Sequence, residues 1–148
     1  VLQKRLFEDG YRVFYDASMR SAPADAADYL AADHVTVVHE PRRALDIDQH
    51  FTQQGVQRRF VTEMPGFAGV AAFLRGSTNL ATLPGLLRAN LLRGLASAEV
   101  PLPCPRLPMY MVWHLRHQTD PMHRWLRDTV EGAAAALGAS ASQDPASP

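Results

Sequence analysis

Hydrophobic and polar residues follow two different periods along the chain, and the two periods predict strands and helices in turn. Short runs that alternate, or that are rich in β-branched and aromatic residues, predict strands. They are QKRLF, YRVFY, HVTVVH, VQRRFVTEM, NLATL, LASAEVPLP and MYMVWH. Apolar residues spaced three or four apart predict helices; these are APADAADYLAA, ALDIDQHFTQQG, PGFAGVAAFLRGS, PGLLRANLLRG and PMHRWLRDTVEGAAAAL. Strands that alternate with helices indicate an α/β fold with parallel pairing.

Local signals at the ends of these segments refine the prediction. The tripeptide EDG, with Gly10, separates the first two strands and is typical of a hairpin turn or of another tight connection between strands. Asp25 or Ser21 is expected near the start of the first helix, and Gly55 at the end of the second. Asp120 and Pro121 predict the N-cap and first residue of the last helix. Its predicted buried stripe is Met122, Trp125, Leu126, Val130, Ala133 and Leu137.

Composition limits the kind of protein. The chain has 148 residues, 47% of them hydrophobic, and Lys+Arg and Asp+Glu balance at 15 each. This balance lacks the basic excess that is typical of a nucleic-acid-binding domain. No apolar run reaches the roughly 18 residues of a membrane span, and nothing resembles a signal peptide. The single cysteine, Cys104, favours a reducing cytoplasm, and a first residue other than Met suggests a fragment.

Three of the six histidines, His114, His117 and His123, lie within ten positions beside both tryptophans. They are predicted to lie on a strand end, a loop and the polar side of a helix. Their H-x2-H-x5-H spacing is not a recognised zinc pattern, so we expect no metal site. G-x-S-x-G, G-x-G-x-x-G and P-loop motifs are absent, so we expect no catalytic residue and no cofactor.

The order of motifs adds a resemblance. LFEDGYRVFYD, DYLAADHVTVV, VQRRFVTEMPGFAGVAAFLRGSTNLATLPGLLRANL and LPMYMVWHLRHQTDPMHRWLRDTV follow one another. This order resembles the effector-binding domain of LysR-type transcriptional regulators from residue 2 to about 137. The most specific pieces are LATLP before a helix and the VWH…DP.HRWLR ending.

The resemblance implies a type-2 periplasmic-binding-protein-like α/β fold, with one complete Rossmann-like subdomain and part of a second. Residues 1–16 would be the end of the first subdomain and a crossover strand, and residues 17–108 the second subdomain. Residues 109–137 would be the return strand and the closing helix, and residues 138–148 a disordered tail. Nothing here resembles the helix-turn-helix through which the family binds DNA.

Ligands of open α/β sheets bind beyond the carboxyl ends of parallel strands. Turns at three predicted strand ends fit this rule, namely VVHEP, TEMPGF and ATLPG. In the family the turn matching MPGF lines the effector cleft between the subdomains, which makes Pro65, Gly66 and Phe67 the main candidates. The other candidates are His39, Glu40 and Pro84. Phe67 is as readily a core aromatic as a ligand contact, and a solvated loop is the simpler interpretation of His39 and Glu40.

The function implied is that of the effector-sensing part of a DNA-binding regulator. The partners implied are a small aromatic or carboxylate effector, DNA through a segment absent from this chain, and further copies of the parent protein, with no membrane. Two alternatives stay open: a solute-binding protein of a transport system, and an enzyme with its site around His114 and His117.

Overall fold

The computed structural model describes residues 1–141, which form eight strands and four α-helices. The strands are β1 Leu2–Asp9, β2 Tyr11–Tyr15, β3 Asp33–His39, β4 Arg43–Ala44, β5 Arg59–Met64, β6 Ala81–Pro84, β7 Ala96–Glu99 and β8 Leu107–Trp113. The α-helices are α1 Ala26–Ala31, α2 Asp46–Gln53, α3 Val70–Leu74 and α4 Pro121–Ala141. Short 3-10 helices cover Phe67–Gly69, Gly85–Ala89 and Leu115–His117.

The chain divides into two compact units. Unit 1 comprises Val1–Asp9 and the chain from Arg106 onward, and unit 2 is Gly10–Pro105. The sequence placed the first boundary after residue 16. The structure divides the chain earlier because β2 pairs with β6 and β7 and so belongs to unit 2.

Unit 2 contains two three-stranded sheets, in the orders β6-β2-β7 and β4-β3-β5, which an isolated bridge links into one mixed arrangement. β2 is antiparallel to both β6 and β7, whereas β3 is parallel to β5 and antiparallel to the short β4. A parallel bridge between His34 and Leu80 joins β3 to the start of β6. Two hydrophobic clusters form the core, one around Phe14, Val37 and Leu74 and the other around Tyr29 and Phe51. The β-branched run of β3 contributes to the first cluster because it is buried along most of its length.

Unit 1 is an antiparallel pair of long strands with a helix. β1 pairs with β8 from Leu2↔Trp113 to Asp9↔Leu107. Helix α4 contacts β1, and Lys4 of the strand donates to Glu131 of the helix at 2.7 Å. Asp120 caps α4 by accepting from the N–H of Met122, as the sequence predicted.

Of the two predictions for the first two strands, the tight connection is confirmed, since Gly10 alone separates them, and the hairpin is wrong. The expectation of parallel pairing is wrong for most strands. β1 and β2 join different units and do not pair with each other, since each finds its partners far along the chain. Most pairs in the described residues are antiparallel, and β3 with β5 is the parallel pair between named strands.

The predicted buried stripe of α4 is also wrong. Met122 is 77% exposed and Trp125 66%, and Leu126 and Leu137 are exposed as well. The helix instead turns Arg127 and Ala134 inward, because its neighbour β1 lies on that side. The continuously apolar run MYMVW is typical of a strand buried on both faces, yet β8 exposes Tyr110 and Val112.

The predicted tail begins too early. Residues 138–141 are the last turn of α4, while the rest of that tail, residues 142–148, lies outside the described residues. No helix in the described part of the chain is both long enough and apolar enough to cross a membrane.

Candidate functional site

The turns predicted to bind a ligand follow strands that end at one edge of the unit 2 sheet. β3 ends at His39 and its parallel neighbour β5 ends at Met64. β6 starts parallel to β3 at the His34–Leu80 bridge and ends at Pro84. Parallel strands end at the same edge, so the turns that carry the six candidate residues lie on one side of the sheet.

His39 and Phe67 are brought together at this edge. Their ring centroids lie 5.7 Å apart, with the planes at 77°, the edge-to-face arrangement that aromatic pairs favour. Phe67 is half-buried and packs on the hydrophobic cluster that contains Val70 and Leu74. Phe67 is therefore anchored by the core and also forms part of the turn surface.

Gly66 gives this turn open space. Its φ of −169° is extended backbone, and it is the residue before the 3-10 helix Phe67–Gly69. A Cβ added at Gly66 meets nothing within 4 Å, whereas one at Gly69 lies 2.3 Å from Cε of Met64. Gly69 is thus covered by a side chain, while the backbone at Gly66 is open to a ligand atom. Pro65 beside it is exposed.

Glu40 lies in the exposed turn between β3 and β4. His39 pairs with Arg43 in register, so the turn consists of Glu40, Pro41 and Arg42. The Glu40–Pro41 peptide bond is cis, and Arg42 has a φ of 57°. This turn holds an exposed carboxylate next to two exposed guanidinium groups, those of Arg42 and Arg43.

Pro84 is tied to the sheet. It pairs in register with Tyr11 of β2, and the following Gly85 donates its N–H to the carbonyl of Gly10 at 2.8 Å. The ring contact described above joins His39 and Phe67. Pro84 lies on β6, whereas His39 lies on β3. The edge thus offers one aromatic pair, one open stretch of backbone and one carboxylate.

The sequence reasoning missed a buried polar network in unit 2. The Asp48 carboxylate accepts from Thr36 Oγ1 and from the Arg58 guanidinium, each at 2.5 Å. Arg58 also donates to the Tyr29 hydroxyl at 3.2 Å, which lies 2.6 Å from Thr82 Oγ1. Burial raises the pKa of Tyr29. The available signal was the spacing of Asp48 from Ile47 and Phe51, which places it on the buried side of α2.

Two cavities lie beside this network. One, of about 390 Å³, is lined by Thr36, Val38, Ala44, Asp48, Gln49, Thr52, Gln53, Phe60 and Glu63. The other, of about 300 Å³, is lined by Thr52, Gly55, Val56, Gln57, Arg58 and Phe60. Neither is lined by any of the six predicted residues. Because the oxygens of Asp48 are already paired, the network's chemistry at these cavities is structural.

The histidines of unit 1 differ from one another. His114 caps the 3-10 helix Leu115–His117, since its Nδ1 accepts from the N–H of Arg116 at 3.1 Å. His117 and His123 do not lie apart as expected. Their rings stack with centroids 3.9 Å apart and planes at 19°, because the helix begins immediately after the turn that carries His117.

Comparison with known proteins identifies the family of the chain. The LysR substrate binding domain matches residues 3–135, nearly the full described chain. The chain belongs to this family. It is an effector-binding domain of the LysR type, whose general role is to bind a small molecule, and the resemblance seen in the sequence is confirmed.

Relatives agree with this assignment. The HTH-type transcriptional activator NagR of a Ralstonia species is 26% identical over 129 residues, which cover 84% of this chain and 43% of NagR. A putative transcriptional regulator from Vibrio parahaemolyticus shares the fold with a TM-score of 0.77 at 19% identity, over 93% of this chain and 66% of that one.

The regulatory domain of MexT, a transcriptional activator in Pseudomonas aeruginosa, gives a TM-score of 0.65 at 24% identity, over 88% of this chain and 62% of that one. These structures show the periplasmic-binding-protein-like fold. The chain spans less than half the length of NagR.

Proposed function

We propose that this chain is the effector-sensing part of a LysR-type regulator that binds DNA through a helix-turn-helix segment outside these 148 residues. The family match over residues 3–135 supports the sensing role, and the relative NagR is a transcriptional activator of the HTH type. In this role the parent protein acts in the cytoplasm as a homo-oligomer, without catalysing a reaction. The relative favours a regulator over the solute-binding protein and over the enzyme.

The effector binds, in this proposal, at the carboxyl edge of the unit 2 sheet. The observation that carries it is the His39–Phe67 ring pair at 5.7 Å, beside the open backbone of Gly66. Aromatic faces bind flat rings, and an open backbone N–H can donate a hydrogen bond to a carboxylate oxygen. This combination fits a small aromatic carboxylate. Pro65, Glu40 and Pro84 would border it.

Benzoate is a minimal probe for this site, and cyclohexanecarboxylate has the same charge without the aromatic ring. We expect benzoate to shift the backbone amide resonances of His39, Gly66 and Phe67 in NMR titrations, and cyclohexanecarboxylate to shift them less. Phe67→Ala should weaken benzoate binding roughly tenfold, the equivalent of about 1.4 kcal/mol.

Phe73→Ala is the matched control. Phe73 lies on α3, six residues from Phe67, and is 44% exposed, so its loss leaves the proposed site intact. Equal weakening by both substitutions would contradict the site. Shifts confined to the residues around Asp48 and Phe60 would instead assign the ligand to the cavity of about 390 Å³.

A further inference from the structure

The turn between β8 and α4 gathers three side chains that bind metals in other proteins. His117 ends the 3-10 helix Leu115–His117, Asp120 is the N-cap of α4, and His123 lies in its first turn. One ligand atom from each lies within 4.8 Å of the other two, and all three residues are half-buried. The H-x2-H-x5-H spacing did not indicate this cluster because the spacing includes the histidines alone, whereas the third member is Asp120.

We propose that His117, Asp120 and His123 bind one Zn²⁺ ion. Zinc is a borderline-soft ion that takes imidazole nitrogen and carboxylate oxygen together. Ligand atoms of a tetrahedral zinc site lie about 3.3 Å apart, given metal–ligand distances of about 2.0–2.1 Å. The donors here must close by roughly 1.5 Å at most, which rotation of half-buried side chains supplies. Three protein ligands leave the fourth position for water or a small anion.

Backbone hydrogen bonds already orient the carboxylate. Oδ1 of Asp120 accepts from the N–H groups of Met122 at 2.9 Å and His123 at 3.3 Å. Hydrogen bonds within the described residues engage this oxygen alone, so Oδ2 is the oxygen assigned to the metal. The same two bonds fix the backbone at His123 relative to Asp120.

Arg127 fixes the other side of the cluster. Its guanidinium donates to the carbonyls of His117 at 3.1 Å and Gln118 at 3.0 Å, and lies 5.0 Å from the ring centre of Trp113. The backbone that carries His117 is therefore held against α4 before any ion binds. In metal sites, contacts of this kind orient the residues that bind the metal directly.

The guanidinium of Arg116 competes with the metal ion for His117. Nε of Arg116 donates to Nε2 of His117 at 2.8 Å, so Arg116 occupies the lone pair that a metal ion would use. Arg116 is exposed, so its side chain can swing into water when zinc takes its place on Nε2. Because an imidazole lone pair lies in the plane of its ring, the stacked rings of His117 and His123 must rotate out of their stack for both to face one ion.

The test uses the untagged 148-residue chain, with Zn²⁺ titrated by calorimetry and Co²⁺ followed by visible absorption. We expect saturable binding of one ion per chain. His117→Gln and His123→Gln should each weaken it roughly tenfold or more, since losing even an outer partner of a metal ligand costs 10- to 100-fold. Asp120→Asn keeps an oxygen that caps the helix but removes the charge, and should weaken binding with unchanged circular dichroism.

His50→Gln, which changes a histidine on α2 in unit 2, is the control and should bind zinc like the parent chain. No saturable binding, or binding that both His117→Gln and His123→Gln leave unchanged, would overturn the proposal. The test is independent of the effector site, because that site belongs to unit 2.

Discussion

Buried polar side chains of unit 2 differ in whether each of their polar atoms has a partner in the protein. Asp48 and Arg58 neutralise each other at 2.5 Å, and their side chains are only 7% and 3% exposed. His34 is completely buried, and its Nε2 lies 2.8 Å from the carbonyl of Tyr29. Its Nδ1 finds no partner among the described residues. Nδ1 has thus lost its hydrogen bond to water and gained none in the protein. Burial, assisted by the charges of Arg58 and Arg20, lowers the pKa of His34 to about 4.

His34 is expected to make the stability of the fold depend on pH. An unfolded chain binds this proton below pH 6.5, whereas the folded chain binds it only below about 4. His34 therefore leaves the free energy of unfolding unchanged above pH 6.5. Between pH 6.5 and 4 it lowers that free energy by on the order of 3 kcal/mol. Urea unfolding measured at several pH values checks this.

His34→Gln keeps an amide donor for the Tyr29 carbonyl and removes the titration. The part of the pH dependence of stability that disappears in this variant is the contribution of His34. His50→Gln, at a half-buried histidine of α2, serves as the control. If His34→Gln retained the whole slope between pH 6.5 and 4, another group would be responsible.

Helices α2 and α4 have similar apolar patterns and different surroundings. Phe51 of α2 is 2% exposed and lies in a core cluster, whereas Trp125 of α4 is 66% exposed. Arg58 covers the Phe51 ring at 4.7 Å. An apolar side chain stabilises the fold through the area that folding removes from water. Phe51 should therefore contribute much more to the free energy of unfolding than Trp125.

Phe51→Ala should therefore destabilise the chain by about 3–5 kcal/mol. Trp125→Ala should change the free energy of unfolding by no more than about 0.5 kcal/mol, as is usual for surface positions. Chemical denaturation followed by circular dichroism compares the two variants directly. A loss of several kcal/mol in Trp125→Ala would mean that the exposed side of α4 that carries Trp125 is covered in solution.

The elements themselves were largely predictable, and their partners were not. Caps and periodicity are local, so Asp25 at the start of α1, Gly55 after α2 with a φ of 74° and Asp120 at α4 were all predicted. The hairpin at Gly10 failed because a turn signal does not specify which strand lies alongside. The stripe of α4 failed because periodicity identifies an apolar face without showing that anything covers it.

Whole-molecule stability is unevenly distributed. Both hydrophobic clusters consist of unit 2 residues, whereas the buried residues of unit 1 in the described chain are Arg127 and Ala134. Local opening requires least free energy where few apolar contacts are broken. Unit 1 should therefore open more often than unit 2.

Amide hydrogen exchange should show this difference. We expect residues 109–137 to exchange faster than residues 35–100, because the strands of unit 2 are held by a core and β8 is held mainly by β1. Mass spectrometry of peptides after timed exchange gives both rates in one experiment. Equal protection of the two ranges would refute the expectation.

The candidate site was predictable to the extent that topology alone determines it. Strand ends mark the edge of a sheet, and this general rule led to His39, Phe67 and Pro84. The ring contact of His39 with Phe67 depends on side-chain directions that one sequence does not encode visibly. Asp48 and Arg58 were missed because charged residues are rarely so buried unless they are paired, and the pairing is visible only in three dimensions.

The positions of the two tryptophans have an optical consequence. Trp113 and Trp125 both belong to unit 1, as does Tyr110, while the other three tyrosines, Tyr11, Tyr15 and Tyr29, belong to unit 2. Indole emission is consequently a reporter of one unit, and tyrosine absorbance reports mostly on the other. Denaturation curves from the two signals that fail to superimpose would reveal an intermediate in which unit 2 is still folded. The two intrinsic signals therefore test whether the two units unfold together.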